Sequence, residues 1–98
     1  MTRILSGIIA FEWDKGNIDK NLKKHNVSNQ EAEEVFFNKP IVFAKDKKHS
    51  IAERRYMLWG KTNVNRKLTI FFTIRKNKIR VISARDMHKK ERGEYEKT

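Results

Sequence analysis

After a first apolar run, "IIAFEW" at 8–13, the apolar positions recur at helical spacing as far as Pro40; beyond it they gather into strand-like runs. The first run predicts a strand. Asp14 offers an N-cap, and Ile18, Leu22 and His25 share one face of a short helix at spacings of four and three. Asn26 can take the left-handed conformation that ends such a helix. Ser28 and Glu31 form an S-x-x-E capping box for a second helix, whose apolar stripe is Ala32, Val35 and Phe36. Pro40 lacks the N–H that a helix needs, so this helix stops by about Asn38.

Four strands follow: "IVFA" at 41–44, "RRYMLWG" at 54–60, "KLTIFFTIR" at 67–75 and "KIRVISA" at 78–84. A last helix is expected over "RDMHKKERGEYEKT", capped near Arg85 or Asp86, with Gly93 weakening its interior by about 1 kcal/mol relative to alanine. Helices followed by a meander of strands predict an α+β fold with a small, mostly antiparallel sheet, two helices in the N-terminal half and one at the C-terminus. The length, 98 residues, fits one domain over 1–98. A two-residue loop at Lys76-Asn77 would pair Ile74 with Ile79, Phe72 with Val81 and Ile70 with Ser83 on the core face. It would pair Arg75 with Lys78, Thr73 with Arg80 and Phe71 with Ile82 on the other.

Charge changes this picture. The net charge is +11, and all of the excess lies in residues 45–98, which hold 17 Lys/Arg against six Asp/Glu. A one-sided field of that sign attracts polyanions, although a solvated basic surface would also keep a protein soluble. Neither strand of the hairpin contains an acidic residue to relieve Arg75, Lys78 and Arg80. Lys and Arg can blunt a sheet edge, or a phosphate can neutralise them through the planar guanidinium fork. There is no cysteine, and no apolar run is long enough for a signal peptide or a membrane span, so a soluble, cytoplasmic protein without membrane partners is expected.

The segments "FEWD" (11–14), "NLKKHNVS" (21–28), "EEVFF" (33–37), "ERRYMLWG" (53–60), "FTIR" (72–75) and "IRVISAR" (79–85), with "ER" at 91–92, together resemble the BrnT family of bacterial toxins. The resemblance runs from about Phe11 to Tyr95 and leaves the first ten residues outside, as an extension leading into the first strand. It implies a RelE-like fold and an RNA-cleaving toxin of a type II toxin–antitoxin pair. It also implies a BrnA-like antitoxin with a ribbon-helix-helix type of domain. Operator DNA would then be met only through the toxin–antitoxin complex.

Metal-independent RNA cleavage proceeds by attack of a 2′-hydroxyl on the adjacent phosphate. The protein must remove that proton, stabilise the added negative charge and protonate the leaving 5′-oxygen. Arg75, Arg80 and Arg85 are the candidate cations and are expected to converge on one phosphate, with Arg55, Lys24 and Lys78 as further RNA contacts. His25 is the candidate for proton transfer, since imidazole titrates near neutrality, but its place on an apolar face also suits a packed structural histidine. His49 lies in a polar loop and His88 on the solvated face of the last helix. Tyr95 could stack on a base or pack in the core; Trp13 and Trp59 read as core anchors. The histidines lack close metal-ligand spacing, and no Gly-rich phosphate loop is present, so no metal or cofactor is expected. A non-catalytic nucleic-acid-binding module is the alternative, weakened by the lack of a helix-turn-helix or RNP-type signature.

Overall fold

The computed structural model describes residues 10–49 and 53–98; the expected strand positions Ile8 and Ile9 lie outside the described residues, as does the side chain of His49. The elements run β1 (Ala10–Phe11), α1 (Lys20–His25), α2 (Asn29–Glu34), β2 (Val42–Lys45), β3 (Tyr56–Lys61), β4 (Lys67–Arg75), β5 (Lys78–Asp86) and α3 (Lys89–Tyr95). A single 3-10 turn at Lys47–His49 follows β2. The strands form one sheet in the order β1-β5-β4-β3-β2, antiparallel except for β1, which pairs parallel to β5. The α+β expectation is met. Among the described residues no helix is long and apolar enough to cross a membrane.

Alternation builds the core face. Tyr56 and Leu58 of β3, Leu68, Ile70 and Phe72 of β4, and Ile79, Val81 and Ala84 of β5 are buried on it. Val27, Ala32, Val35 and Phe36 cover them from the helical segment. The capping box forms as expected: the Ser28 hydroxyl accepts from the Glu31 N–H, and the Ser28 N–H donates to the Glu31 carboxylate. Gly60 is what allows α2 to come so close, since a Cβ there would stand 2.8 Å from the Val35 carbonyl oxygen.

The β4–β5 hairpin turns at Lys76 and Asn77, both at positive φ (49° and 63°), the geometry whose twist matches paired strands. From Arg75–Lys78 to Phe72–Val81 the register is the expected one. It then shifts by one residue: Phe71 pairs with Ser83, Ile70 with Ala84 and Thr69 with Arg85. This bulge corrects the expected pairs Phe71–Ile82 and Ile70–Ser83. Ile82 becomes the extra residue of β5, and every later side chain changes face. Under the regular register Arg85 would lie opposite Leu68 on the core face. With the bulge it lies opposite Thr69, on the same outer face as Arg75 and Arg80.

The ends of the helices differ from expectation in two places. Asp14 does not cap α1; its side chain accepts from the Gly16 N–H (2.8 Å), and a run of turns separates it from Lys20. Ile18 and Leu22 are 47% and 45% exposed, and the buried positions are Asn17 and Asn21. For Asn17 the reason is hydrogen bonding: its amide donates to the carbonyls of Glu12 (2.9 Å) and Val81 (3.1 Å), and its Oδ1 accepts from the Asp14 N–H. A buried asparagine thus fastens the segment after β1 to the open edge of β5. At the other terminus β5 continues to Asp86, so α3 starts at Lys89 rather than near Arg85. α3 lies over the outer face, where Glu91 meets Thr69 and Arg85.

Candidate nucleic-acid interface on the outer sheet face

Two groups of cations stand along the outer face of β5. The first is at the hairpin. Arg75 is half exposed and grips Glu53 through Nε (2.7 Å) and one terminal nitrogen (2.8 Å). Arg80, opposite Thr73, is only 14% exposed. Its guanidinium donates to both oxygens of Asp14 (2.7 and 2.9 Å) and to Glu12 (3.0 Å). Lys78 is exposed beside them. The relief missing from the two strands therefore comes from outside them, from Glu53 ahead of β3 and from Glu12 and Asp14 after β1. The bond from Arg80 holds the Asp14 carboxyl below its usual range, helped by the Gly16 N–H, and the bond to Asp14 raises Arg80 in turn. The bond from Arg75 likewise lowers Glu53.

The second group is at the far end. Arg85 donates to both oxygens of Glu91 (2.7 and 3.0 Å), and its guanidinium carbon stands 5.8 Å from the centroid of the Phe71 ring. Glu91 also accepts from the Thr69 hydroxyl (3.1 Å) and the His88 N–H (2.8 Å). Four donors on one half-buried carboxylate, Arg85 first, bring its pKa from the ordinary 4.5 down to about 2. The His88 ring is exposed, with Nδ1 3.8 Å from the same carboxylate. Because the folded-state pKa is depressed, the stabilisation is complete above pH 4.5 and fades as pH falls toward 2. Glu91→Gln is therefore expected to lower the thermal midpoint near neutral pH. The gap from wild type should narrow steadily between pH 4.5 and 2 in an unfolding series.

The candidate residues divide between these places. Arg75, Lys78 and Arg80 come together. Arg85 shares their face, but its partner Thr69 lies four residues along β4 from Thr73, the partner of Arg80, roughly 13 Å at strand rise. The expected convergence on one phosphate is therefore corrected to a row. His25 is partly buried and stands near Asp86, whose carboxyl is lowered chiefly by its bond to Arg66 and in lesser part by His25. That places His25 at the Arg85 end of β5, away from Arg75 and Arg80. Lys24 is exposed in the last turn of α1. Arg55 is partly buried before β3, its carbonyl accepting from the Asp46 N–H. Tyr95 is 3% exposed and its hydroxyl donates to the Pro40 carbonyl (2.7 Å). It anchors α3 and has no free ring for a base, which corrects the RNA-binding expectation for it. Of the two tryptophans, Trp13 packs against the core and its indole N–H donates to Glu33 (2.6 Å).

Sequence reasoning missed Glu12, Asp14, Glu53 and Glu91 as partners of the arginines, and His88 as a neighbour of the Arg85–Glu91 pair. The one local signal was Glu91, six residues after Arg85 across the strand-to-helix junction. The other acids come from distant segments. A comparison with known families finds a match over residues 13–91 to the family described as "Ribonuclease toxin, BrnT, of type II toxin-antitoxin system". No curated protein matches the chain.

Proposed function

This chain belongs to the BrnT family of ribonuclease toxins of type II toxin–antitoxin systems, and from that premise we propose that it cleaves RNA without a metal ion, along the outer face of β5. Membership brings an RNA substrate and an antitoxin partner. The finer reading is that the 2′-hydroxyl attacks the scissile phosphate while guanidinium groups stabilise the charge that develops on its oxygens. The observation that carries it is the bulge at Ile82, which sets Arg80 and Arg85 on one face. A row of that length suits successive phosphates of one strand better than a single one. Arg75, Arg80 and Lys78 would hold the backbone at the hairpin, and Arg85 would hold it at the α3 end.

The candidates for proton transfer are His88, beside the Arg85–Glu91 pair on the outer face, and His25, which stands near Asp86 at the same end of β5 but on the side the helical segment covers. The carboxylates paired with Arg75 and Arg85 would yield part of their hold as a phosphate arrives, since both anions use the same fork of N–H donors. The antitoxin partner in this reading is BrnA-like and acidic where it meets the outer face. It covers the same cations.

The test uses purified protein, a synthetic single-stranded RNA and, separately, translating ribosomes, all with excess EDTA. Ends carrying 2′,3′-cyclic phosphate and 5′-hydroxyl are expected, as is suppression by a BrnA-like antitoxin. Alanine at His25 and at His88 separates the two candidates for proton transfer. RNA left intact in both settings overturns the reading. Salt-sensitive binding with no scission would instead favour the non-catalytic module, the salt slope counting the phosphates engaged.

A further inference from the structure

Arg80 sits in a socket, and the socket has more parts than its ion pair needs. Three of its N–H groups are spent on carboxylate oxygens, two on Asp14 and one on Glu12. A guanidinium has five, so two are left over from the bonds to described residues. The wall behind it is Gly16. A Cβ on Gly16 would stand 2.6 Å from one terminal nitrogen of Arg80 and 3.2 Å from Asp14 Oδ1. The Gly16 N–H donates to that same Asp14 oxygen. The socket is then fastened to the strand that carries Arg80: Asn17 is buried and bonded at once to the Asp14 N–H, the Glu12 carbonyl and the Val81 carbonyl. The Glu12 N–H adds a bond to the Ile79 carbonyl. Acceptors, glycine wall and anchor all come from residues 12–17, and together they fix the angle of one guanidinium.

Neutralising a charge alone would not require this. A flexible surface pair holds two side chains loosely and contributes little. A fixed fork has value where a planar group must meet an anion at a set angle, because small misplacements of a catalytic cation are costly. We propose that Asp14 is a positioning residue for Arg80 in the cleavage of RNA, with Gly16 leaving the space in which that guanidinium lies. The inference rests on the outer-face reading above and deepens it.

Gly16 makes the test sharp. It is exposed and its φ is ordinary, so alanine there strains no backbone and removes chain entropy from the unfolded state. The added methyl must push the Arg80 guanidinium aside. The experiment measures cleavage of the synthetic RNA, on ribosomes if wild type requires them, for Gly16→Ala, Asp14→Asn and Arg80→Ala. It also takes each of the first two combined with Arg80→Ala. Gly16→Ala is expected to keep or raise the thermal midpoint yet lower kcat by about tenfold to a hundredfold, with KM little changed. Asp14→Asn should lower kcat in the same way. Neither should lower it further once Arg80 is alanine.

A wild-type kcat in both single variants overturns the inference, as does an equal loss with and without Arg80. A loss of activity that only follows a loss of fold in Asp14→Asn, with Gly16→Ala unaffected, overturns it as well. Absence of cleavage by wild type on either substrate overturns the outer-face reading itself, and this inference with it.

Discussion

Arg85→Ala is expected to lower RNA cleavage by roughly 10²–10³-fold, the loss typical of removing one preorganised donor from a developing oxyanion. Arg85 should show the effect most clearly because its surroundings fix it so well. Glu91 takes both ends of its fork, and the Phe71 ring stands beside it. Arg85→Lys keeps the charge but loses the two parallel bonds, so it should recover only a small part of the rate. Alanine also leaves Glu91 short of its strongest donor, which costs stability. Denaturant unfolding beside a single-turnover cleavage assay separates the two effects. A variant that keeps its fold and cleaves at the wild-type rate would remove Arg85 from the chemistry.

Phe72→Ala is expected to have the largest effect on stability, about 3–5 kcal/mol. Phe72 is fully buried at the centre of the core face. Its ring meets Phe36 edge-on (5.1 Å between centroids) and lies against Tyr56 (5.6 Å) and Phe43 (6.1 Å). These partners come from the helical segment and from β2 and β3. A cavity at Phe72 therefore loosens three contacts that hold helix to sheet and strand to strand. A domain of this size commonly has ~5–15 kcal/mol in total, so the variant should unfold at a far lower denaturant concentration. Urea unfolding measures it, and a cost below about 1 kcal/mol would mean that the cluster closes over the gap.

Much of the fold could be read from local chemistry. β4 ran over the expected Lys67–Arg75, because nine residues rich in Ile, Phe and Thr admit little else. The capping box and the left-handed Asn26 were also legible, since each depends on neighbours in sequence. The bulge was not. Val81 and Ile82 are both apolar, so nothing in the pattern tells which one faces the core. The start of α1 was misread for a different reason. Hydropathy pointed to Ile18 and Leu22, but the open edge of β5 presents a backbone carbonyl that only a hydrogen-bond donor can satisfy, and Asn17 took the buried place. In the candidate site, the common face of Arg75 and Arg80 was legible from the hairpin spacing, whereas that of Arg85 depends on the bulge. The carboxylate partners at residues 12, 14 and 53 were not legible, because they meet the hairpin only through tertiary structure.

The order of the strands also sets a schedule for biosynthesis. β1 is made first, yet it waits for β5, almost seventy positions later, before it has anything to pair with. Arg80, Arg85 and the whole of α3 leave the ribosome after β1, α1, α2, β2, β3 and β4. A truncated product ending before Ile79 would keep the acids of residues 12–14 and lack every cation they hold. A chain on which β5 has not yet been made is therefore without the row formed by Arg80 and Arg85, and the acids of residues 12–14 wait for their guanidinium until it has.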